Sequence, residues 1–281
     1  MTTSPEQVLD FWFEFGSNYS YLTLMRIEEA ARGAGVRVHW KPFLLGPIFK
    51  ELGWKEAPFV QQKEKGAYAW RDVERRAARY GLAFRRPSEF PRSSVLGSRI
   101  ALLAAGEPWV GEFCRRITAR NYVQDQEIAS PEAALAALDG LVADPAAIIR
   151  AAGEDAAKAA LRAQTEEARR LGIFGAPTFF AGGEMFWGDD RLEDALEAAQ
   201  GRLPQPVRGC AADGAAGASA CVSRRSAAPG PPCAARPGRP CRCSGWRRRS
   251  CPAGCAPGRP AQGACRSGSA GRGRAGYSPA S

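Results

Sequence analysis

Residues 8–15 alternate, with Leu9, Phe11, Phe13 and Phe15 on one side of an extended chain and Val8, Asp10, Trp12 and Glu14 on the other. A period of two this rich in aromatics predicts a strand. Beyond Gly16 the period lengthens. Tyr21, Leu22, Leu24, Met25 and Ile27 recur at helical spacing, Glu28, Glu29 and Arg32 take the other side, and Gly33 and Gly35 supply a stop. Val36, Val38 and Trp40 then alternate with Arg37, His39 and Lys41 and end at Pro42, predicting a second strand with His39 on its solvent side.

From Leu44 to Leu171 there is no good strand pattern. Helical spacing predicts helices over 59–80, 94–105 and 108–122, and three more within 131–171, broken near Asp144-Pro145 and Gly153-Glu154. Their Arg, Lys and Glu residues read as solvated faces. Strand character returns at Thr178, Phe179 and Phe180, Gly182-Gly183 supplies a hairpin turn, 184–187 read as the return strand, and a helix from Asp190 to Ala199 closes the domain. This order is α/β and matches a thioredoxin-like domain over 1–201, interrupted by a helical insertion at about 45–171.

Charge divides the chain. Of 39 basic and 29 acidic residues, the stretch 202–281 holds fourteen Arg, no Lys and the single acid Asp213, so it carries +13 of a net +10 and the remainder is slightly acidic. The basic balance therefore gives the folded part no affinity for nucleic acid. Eight of the nine Cys lie in this tail without any His among them, which is no zinc pattern. A mixture of Ala, Gly, Pro, Arg, Ser and Cys predicts either a disordered extension or the product of a frameshift or read-through in GC-rich DNA. The start of the chain has no basic region followed by an apolar one, and no stretch is long enough to span a bilayer, so the expected setting is cytoplasmic, without a membrane partner. Cys114, alone in the folded part, permits no disulfide there.

Four segments carry candidate chemistry. Ser17-Asn18-Tyr19-Ser20 stands at a strand-to-helix junction, where a dithiol protein would place Cys-x-x-Cys. With serine at both ends, any reactive sulfur must come from a ligand, and Ser17 faces a helix start that favours a thiolate. Ser17 or Ser20 can equally be a plain N-cap. Gly175-Ala176-Pro177-Thr178 opens a strand with a proline suited to a cis bend, leaving the backbone of Ala176 open to an extended ligand. Trp187-Gly188-Asp189-Asp190-Arg191 offers two carboxylates for an ammonium group, or an N-cap at Asp189. In Lys65-Gly66-Ala67-Tyr68, Lys65 is either a surface charge or a contact for an anion.

With Lys41-Pro42-Phe43-Leu44-Leu45-Gly46, these motifs and their order make residues 8–200 resemble the 2-hydroxychromene-2-carboxylate isomerases, which are related to kappa-class glutathione transferases and share the DsbA-like thioredoxin fold. The resemblance implies glutathione as cofactor. Ser17 would hold its sulfur as thiolate, Ala176 beside Pro177 would pair with its cysteinyl backbone, Asp189 and Asp190 would bind its γ-glutamyl head, and Trp54 and Lys65 would add contacts. It implies an isomerase of aromatic-compound catabolism working by thiolate addition and elimination, and a homodimer; the carboxylate of an aromatic or chromene substrate needs a cation or donors, for which Lys41, Arg92 and Ser93 are the candidates. Two departures bear on the substrate. The chain has Pro91-Arg92-Ser93-Ser94 where the family often has Pro-x-Asn before Ser or Thr, and Gly53-Trp54 where it has Asn after Gly. A kappa-like transferase and a non-catalytic glutathione-binding protein are the alternative activities.

Overall fold

The aromatic run forms strand β1 (Val8–Phe13) in the computed structural model, which describes residues 7–54 and 58–202. The expectations for the tail beyond Arg202 lie outside the described residues. Strand β2 (Arg37–Pro42) runs parallel to β1, as a strand–helix–strand unit requires, and β3 (Thr178–Ala181) and β4 (Glu184–Trp187) form the expected hairpin. β3 lies antiparallel on the other side of β1, giving a sheet of order β2-β1-β3-β4. β1 is therefore central, and Leu9, Phe11 and Phe13 are fully buried. Phe11 stacks on Phe179 of β3 at 5.4 Å and meets Trp40 of β2 edge-on at 5.8 Å, so one side chain ties three strands.

The helix expected after Gly16 is two helices. α1 (Asn18–Leu24) stops at Met25, and α2 (Ile27–Ala34) begins after Arg26, ending at Gly35 in the left-handed conformation that glycine adopts at little cost. The break allows Thr23 and Arg26 to reach the same carboxylate, Asp189. Spacing also missed α3 (Leu45–Glu51), whose Gly46 and Pro47 are poor helix formers but fall in its first turn, where proline is tolerated. The helix expected over 59–80 is divided at Gln62 into α4 (Pro58–Gln61) and α5 (Lys63–Arg79).

The other helical expectations hold within a few residues: α6 (Val95–Leu103), α7 (Val110–Tyr122), α8 (Pro131–Leu138), α9 (Pro145–Gly153), α10 (Asp155–Arg170) and, after a single 3-10 turn at Asp189–Arg191, α11 (Leu192–Ala199). Ser130 and Asp144 cap α8 and α9 through side-chain oxygens, each followed by a proline whose missing N–H costs nothing at that position. The inserted helices do not form a separate core. Ile100, Phe113, Cys114 and Ile117 belong to the same buried cluster as Phe11 and Phe13. A smaller cluster of Trp12, Phe43, Leu45, Ile48, Ile173 and Ala176 seats α3 and the Ala176 loop against the opposite side of β1. His39 is half-exposed with Nδ1 3.0 Å from Asp10 Oδ1, a pairing across the two strands. No described helix is long and apolar enough to cross a membrane.

Candidate functional site

β1 passes through Glu14, Phe15 and Gly16 into α1, and the Ser17 N–H closes the turn on the Glu14 carbonyl at 3.1 Å. Ser17 is extended (φ −88°, ψ 122°), the conformation of a residue just outside a helix. Its Oγ accepts from the Ser20 N–H at 3.2 Å and donates to the Ala176 carbonyl at 2.8 Å. The two readings of Ser17 thus hold together: it caps α1 and also reaches the second motif, 159 residues away. α1 has only seven residues, so the Ser17 hydroxyl is the main local donor rather than a large helix dipole.

Ala176 precedes a cis peptide to Pro177, and β3 starts one residue later. Pro177 itself is buried behind Ala176, and its carbonyl accepts from the Gly188 N–H at 2.9 Å. That bond joins the Ala-Pro and Trp-Gly-Asp-Asp motifs at one end of the β3–β4 hairpin. Two glycines make the junction fit. A Cβ at Gly175 would sit 2.4 Å from the Trp187 indole nitrogen, and Gly188, at φ 113°, turns the chain toward Asp189 in a conformation closed to most side chains. Trp187 meets Phe174 edge-on at 4.8 Å, and both rings remain about half-exposed.

These elements enclose a cavity of about 860 Å³, lined by Glu14, Ser17, Trp54, Lys65, Arg92, Ser93, Phe174, Ala176, Trp187 and Asp190 among others. The volume is within the usual range for ligand sites. Ser17, Trp54, Lys65, Ser93, Ala176 and Asp190 are therefore brought to one wall system from segments far apart in sequence. Lys65 and Ser93 are exposed at its edge.

Three expected ligand groups are placed otherwise. Lys41 does not line the cavity; it leaves β2 with its ammonium 6.0 Å from the centre of the Trp12 ring. Arg92 lines the cavity but is committed, donating to Asp125 Oδ1 at 2.7 Å and Asn121 Oδ1 at 3.0 Å, and Asp125 is drawn down to about 2 by the Ser88 N–H and Arg92. Asp189, 1 % exposed, is saturated: Arg76 donates twice to Oδ2 at 2.8 and 3.1 Å, Tyr80 donates to the same oxygen at 3.1 Å, and Thr23 and Arg26 take Oδ1. A carboxylate so paired is a structural hub rather than a receptor for an ammonium group. Both carboxylates of the motif line the cavity, and Asp190, half-exposed and paired with Arg191 alone on the adjoining residue at 3.1 Å, is the more open of the two.

Sequence reasoning missed Glu14. Its Oε2 accepts from the Leu45 N–H at 3.3 Å and its Oε1 from the Ser94 hydroxyl at 3.2 Å, and burial pushes its carboxyl up to about 7. The alternation over 8–15 marks only an acid one residue past β1; its partners come from 31 and 80 residues away. Cys114, the one cysteine among the described residues, is fully buried, and burial pushes its thiol well up, so it is no nucleophile for this cavity.

Residues 8–200 match the family model of the DsbA-like thioredoxin domain. The 2-hydroxychromene-2-carboxylate isomerase of Pseudomonas putida is 30% identical over 199 residues, covering 70% of this chain and 95% of that protein, and the enzyme of the same name from Sphingobium xenophagum is 27% identical over 190 residues, covering 66% and 95%. A solved 2-hydroxychromene-2-carboxylate isomerase superposes with a TM-score of 0.63 at 26% identity, over 69% of this chain and 95% of that one. A probable DsbA oxidoreductase from Streptomyces coelicolor shares the fold at a TM-score of 0.54 and 22% identity, over 74% and 98%. With a central β1 that delivers Ser17 to the cis Ala176–Pro177 loop, the chain belongs to the DsbA-like thioredoxin family, among the relatives named 2-hydroxychromene-2-carboxylate isomerase.

Proposed function

We propose that the cavity binds glutathione at Ser17 and isomerises 2-hydroxychromene-2-carboxylate or a closely related aromatic carboxylate. The observation that carries this reading is the 2.8 Å bond from Ser17 Oγ to the Ala176 carbonyl at the cavity wall. The residues present fit a tripeptide thiol: a hydroxyl donor with no cysteine beside it among the described residues, an edge of backbone at Ala176, a half-exposed carboxylate at Asp190 and an exposed ammonium at Lys65. Bound glutathione would supply the thiolate that adds to the substrate double bond and is expelled after rotation.

The chain's own groups would act as follows. Ser17 turns its hydroxyl from Ala176 to the sulfur, which favours the anion, since a hydrogen bond to the charged form lowers a thiol's pKa. The Ala176 carbonyl is thereby released to accept a ligand N–H in the manner of an added strand. Asp190 holds the γ-glutamyl ammonium, and Lys65 faces a glutathione carboxylate. Phe174 and Trp187 present apolar ring surface to the aromatic substrate at the mouth, and Ser93 offers a donor to its carboxylate. Cytoplasmic residence accords with the need for reduced glutathione.

Calorimetry of glutathione binding to the full chain, paired with thiolate absorbance as a function of pH, tests the reading. Binding with a lowered thiol pKa that Ser17→Ala abolishes supports it; no binding at millimolar glutathione defeats it. Product analysis with the chromene carboxylate then separates isomerisation from conjugation, because a transferase would accumulate a stable thioether.

A further inference from the structure

Glu14 is the carboxyl of the cavity wall without a salt-bridge partner. Asp72 accepts from Tyr19 at 3.0 Å and pairs with Arg75, Asp189 is held by Arg26 and Arg76, and Asp190 pairs with Arg191. Glu14, by contrast, is held among the described residues by neutral donors, the Leu45 N–H at the start of α3 and the Ser94 hydroxyl just ahead of α6. Its carboxyl lies over Gly16, whose Cβ position would be 3.6 Å from Oε1, next to Ser17 and on the same wall.

The surroundings fix it in place without neutralising it. Tyr122, at the end of α7, donates its hydroxyl to the Gly16 carbonyl at 2.7 Å, and burial first, then the charge of Glu14, keeps that phenol protonated. Arg92 brings its backbone carbonyl to 3.5 Å from the Gly16 Cβ position, while its guanidinium is tied to Asp125 and Asn121. Among the described residues no cation lies within ion-pairing distance of the Glu14 carboxyl. A carboxyl with a neutral cradle, facing a cavity and titrating near neutrality, is suited to taking up and giving back one proton.

Resting on the isomerase reading above, we propose that Glu14 is a further catalytic residue, the proton carrier for opening and closing of the substrate ring. The substrate bears a hydroxyl and the ring oxygen on one carbon. Glu14 as carboxylate takes the hydroxyl proton; the carbon–hydroxyl oxygen bond becomes a carbonyl, the bond from that carbon to the ring oxygen breaks, and its electron pair passes to the ring oxygen as a phenolate. Glu14 then returns the same proton to the phenolate oxygen. Nothing is oxidised or reduced, and the enzyme ends in its starting protonation state.

The test compares full-length wild type, Glu14→Gln and Glu14→Asp in turnover of 2-hydroxychromene-2-carboxylate with glutathione across pH, with glutathione affinity measured separately. The expected result is a kcat about 100-fold lower for Glu14→Gln, unchanged glutathione binding, and disappearance of the wild-type fall in activity below about pH 7. A Glu14→Gln enzyme within threefold of wild type, or one that keeps the limb after the bound thiol's own titration, read from thiolate absorbance, is accounted for, overturns the proposal and leaves the isomerase reading standing. If Glu14→Gln does not fold, Glu14→Asp decides: a displaced limb supports the proposal and an unmoved one overturns it. Wild type that neither binds glutathione nor turns over the substrate overturns both readings at once.

Discussion

Ser17 and Asp189 are both short polar residues beside a helix start, both in motifs that suggest a ligand contact, and the tertiary structure gives them opposite fates. Ser17 meets one partner across the cavity, a backbone carbonyl, and can exchange it at the cost of one ordinary hydrogen bond. Asp189 meets two guanidiniums, a phenol and a threonine hydroxyl, and is shut away at 1 % exposure. The difference teaches that position in a motif locates a residue at a site, whereas the number of partners it has already acquired decides whether it can serve a ligand.

The largest expected effect comes from breaking the Asp189 side of this comparison. Asp189→Ala takes from Arg76 its ion-pair partner among the described residues and leaves Arg26 with Glu193 alone, at 2.9 Å, and should cost about 3–5 kcal/mol in urea denaturation. A loss below about 1 kcal/mol would mean that the hub is not structural and would return Asp189 to the list of ligand groups. Ser17→Ala should do the reverse: about 1 kcal/mol of stability from the lost cap, but about 100-fold in turnover, of the size seen when one donor to a reacting anion is removed. Equal losses of stability and activity would erase the contrast.

Glu14 sharpens the comparison with a pH dependence. Its folded pKa is raised to about 7 from 4.5, so the native state holds more protons than the unfolded state between those values. Its contribution to stability is fully present below 4.5 and is lost as pH rises through 7. Wild type should therefore lose about 1–3 kcal/mol relative to Glu14→Gln between pH 4 and pH 8, allowing for its partial exposure. Thermal melts of the two proteins across that range check the sign. The smallest effect belongs to the rim. Lys65→Ala should weaken glutathione binding about two- to fivefold, a difference that fades in high salt because the ammonium is exposed.

Much of the framework was legible in order: β1, β2, the β3–β4 hairpin, and the helix breaks near Asp144-Pro145 and Gly153-Glu154 that bound α9. Legibility failed at α3, which is held by Ile48 and Leu45 packing against Trp12, Phe43 and Ala176 rather than by its own propensity. It failed again at Met25-Arg26, where a continuous helical period is broken next to the Asp189 contacts. Lys41 and Arg92 were read as substrate cations because charge is visible in a sequence. The ring beside Lys41 and the Asp125 that claims Arg92 are not.

The sequence by itself determined where the strands and most helices run, that a serine replaces sulfur at the head of α1, and which motifs sit at loop ends, because period, proline and glycine act through local sterics and solvation. Only the tertiary structure decided that Ser17 caps and reaches Ala176 at once, that Asp189 is spent while Asp190 is open, and that Glu14 lies unpaired on the cavity wall. Those outcomes depend on partners up to 166 residues apart and on how much water is removed around each charge, quantities that exist only once the chain has closed on itself.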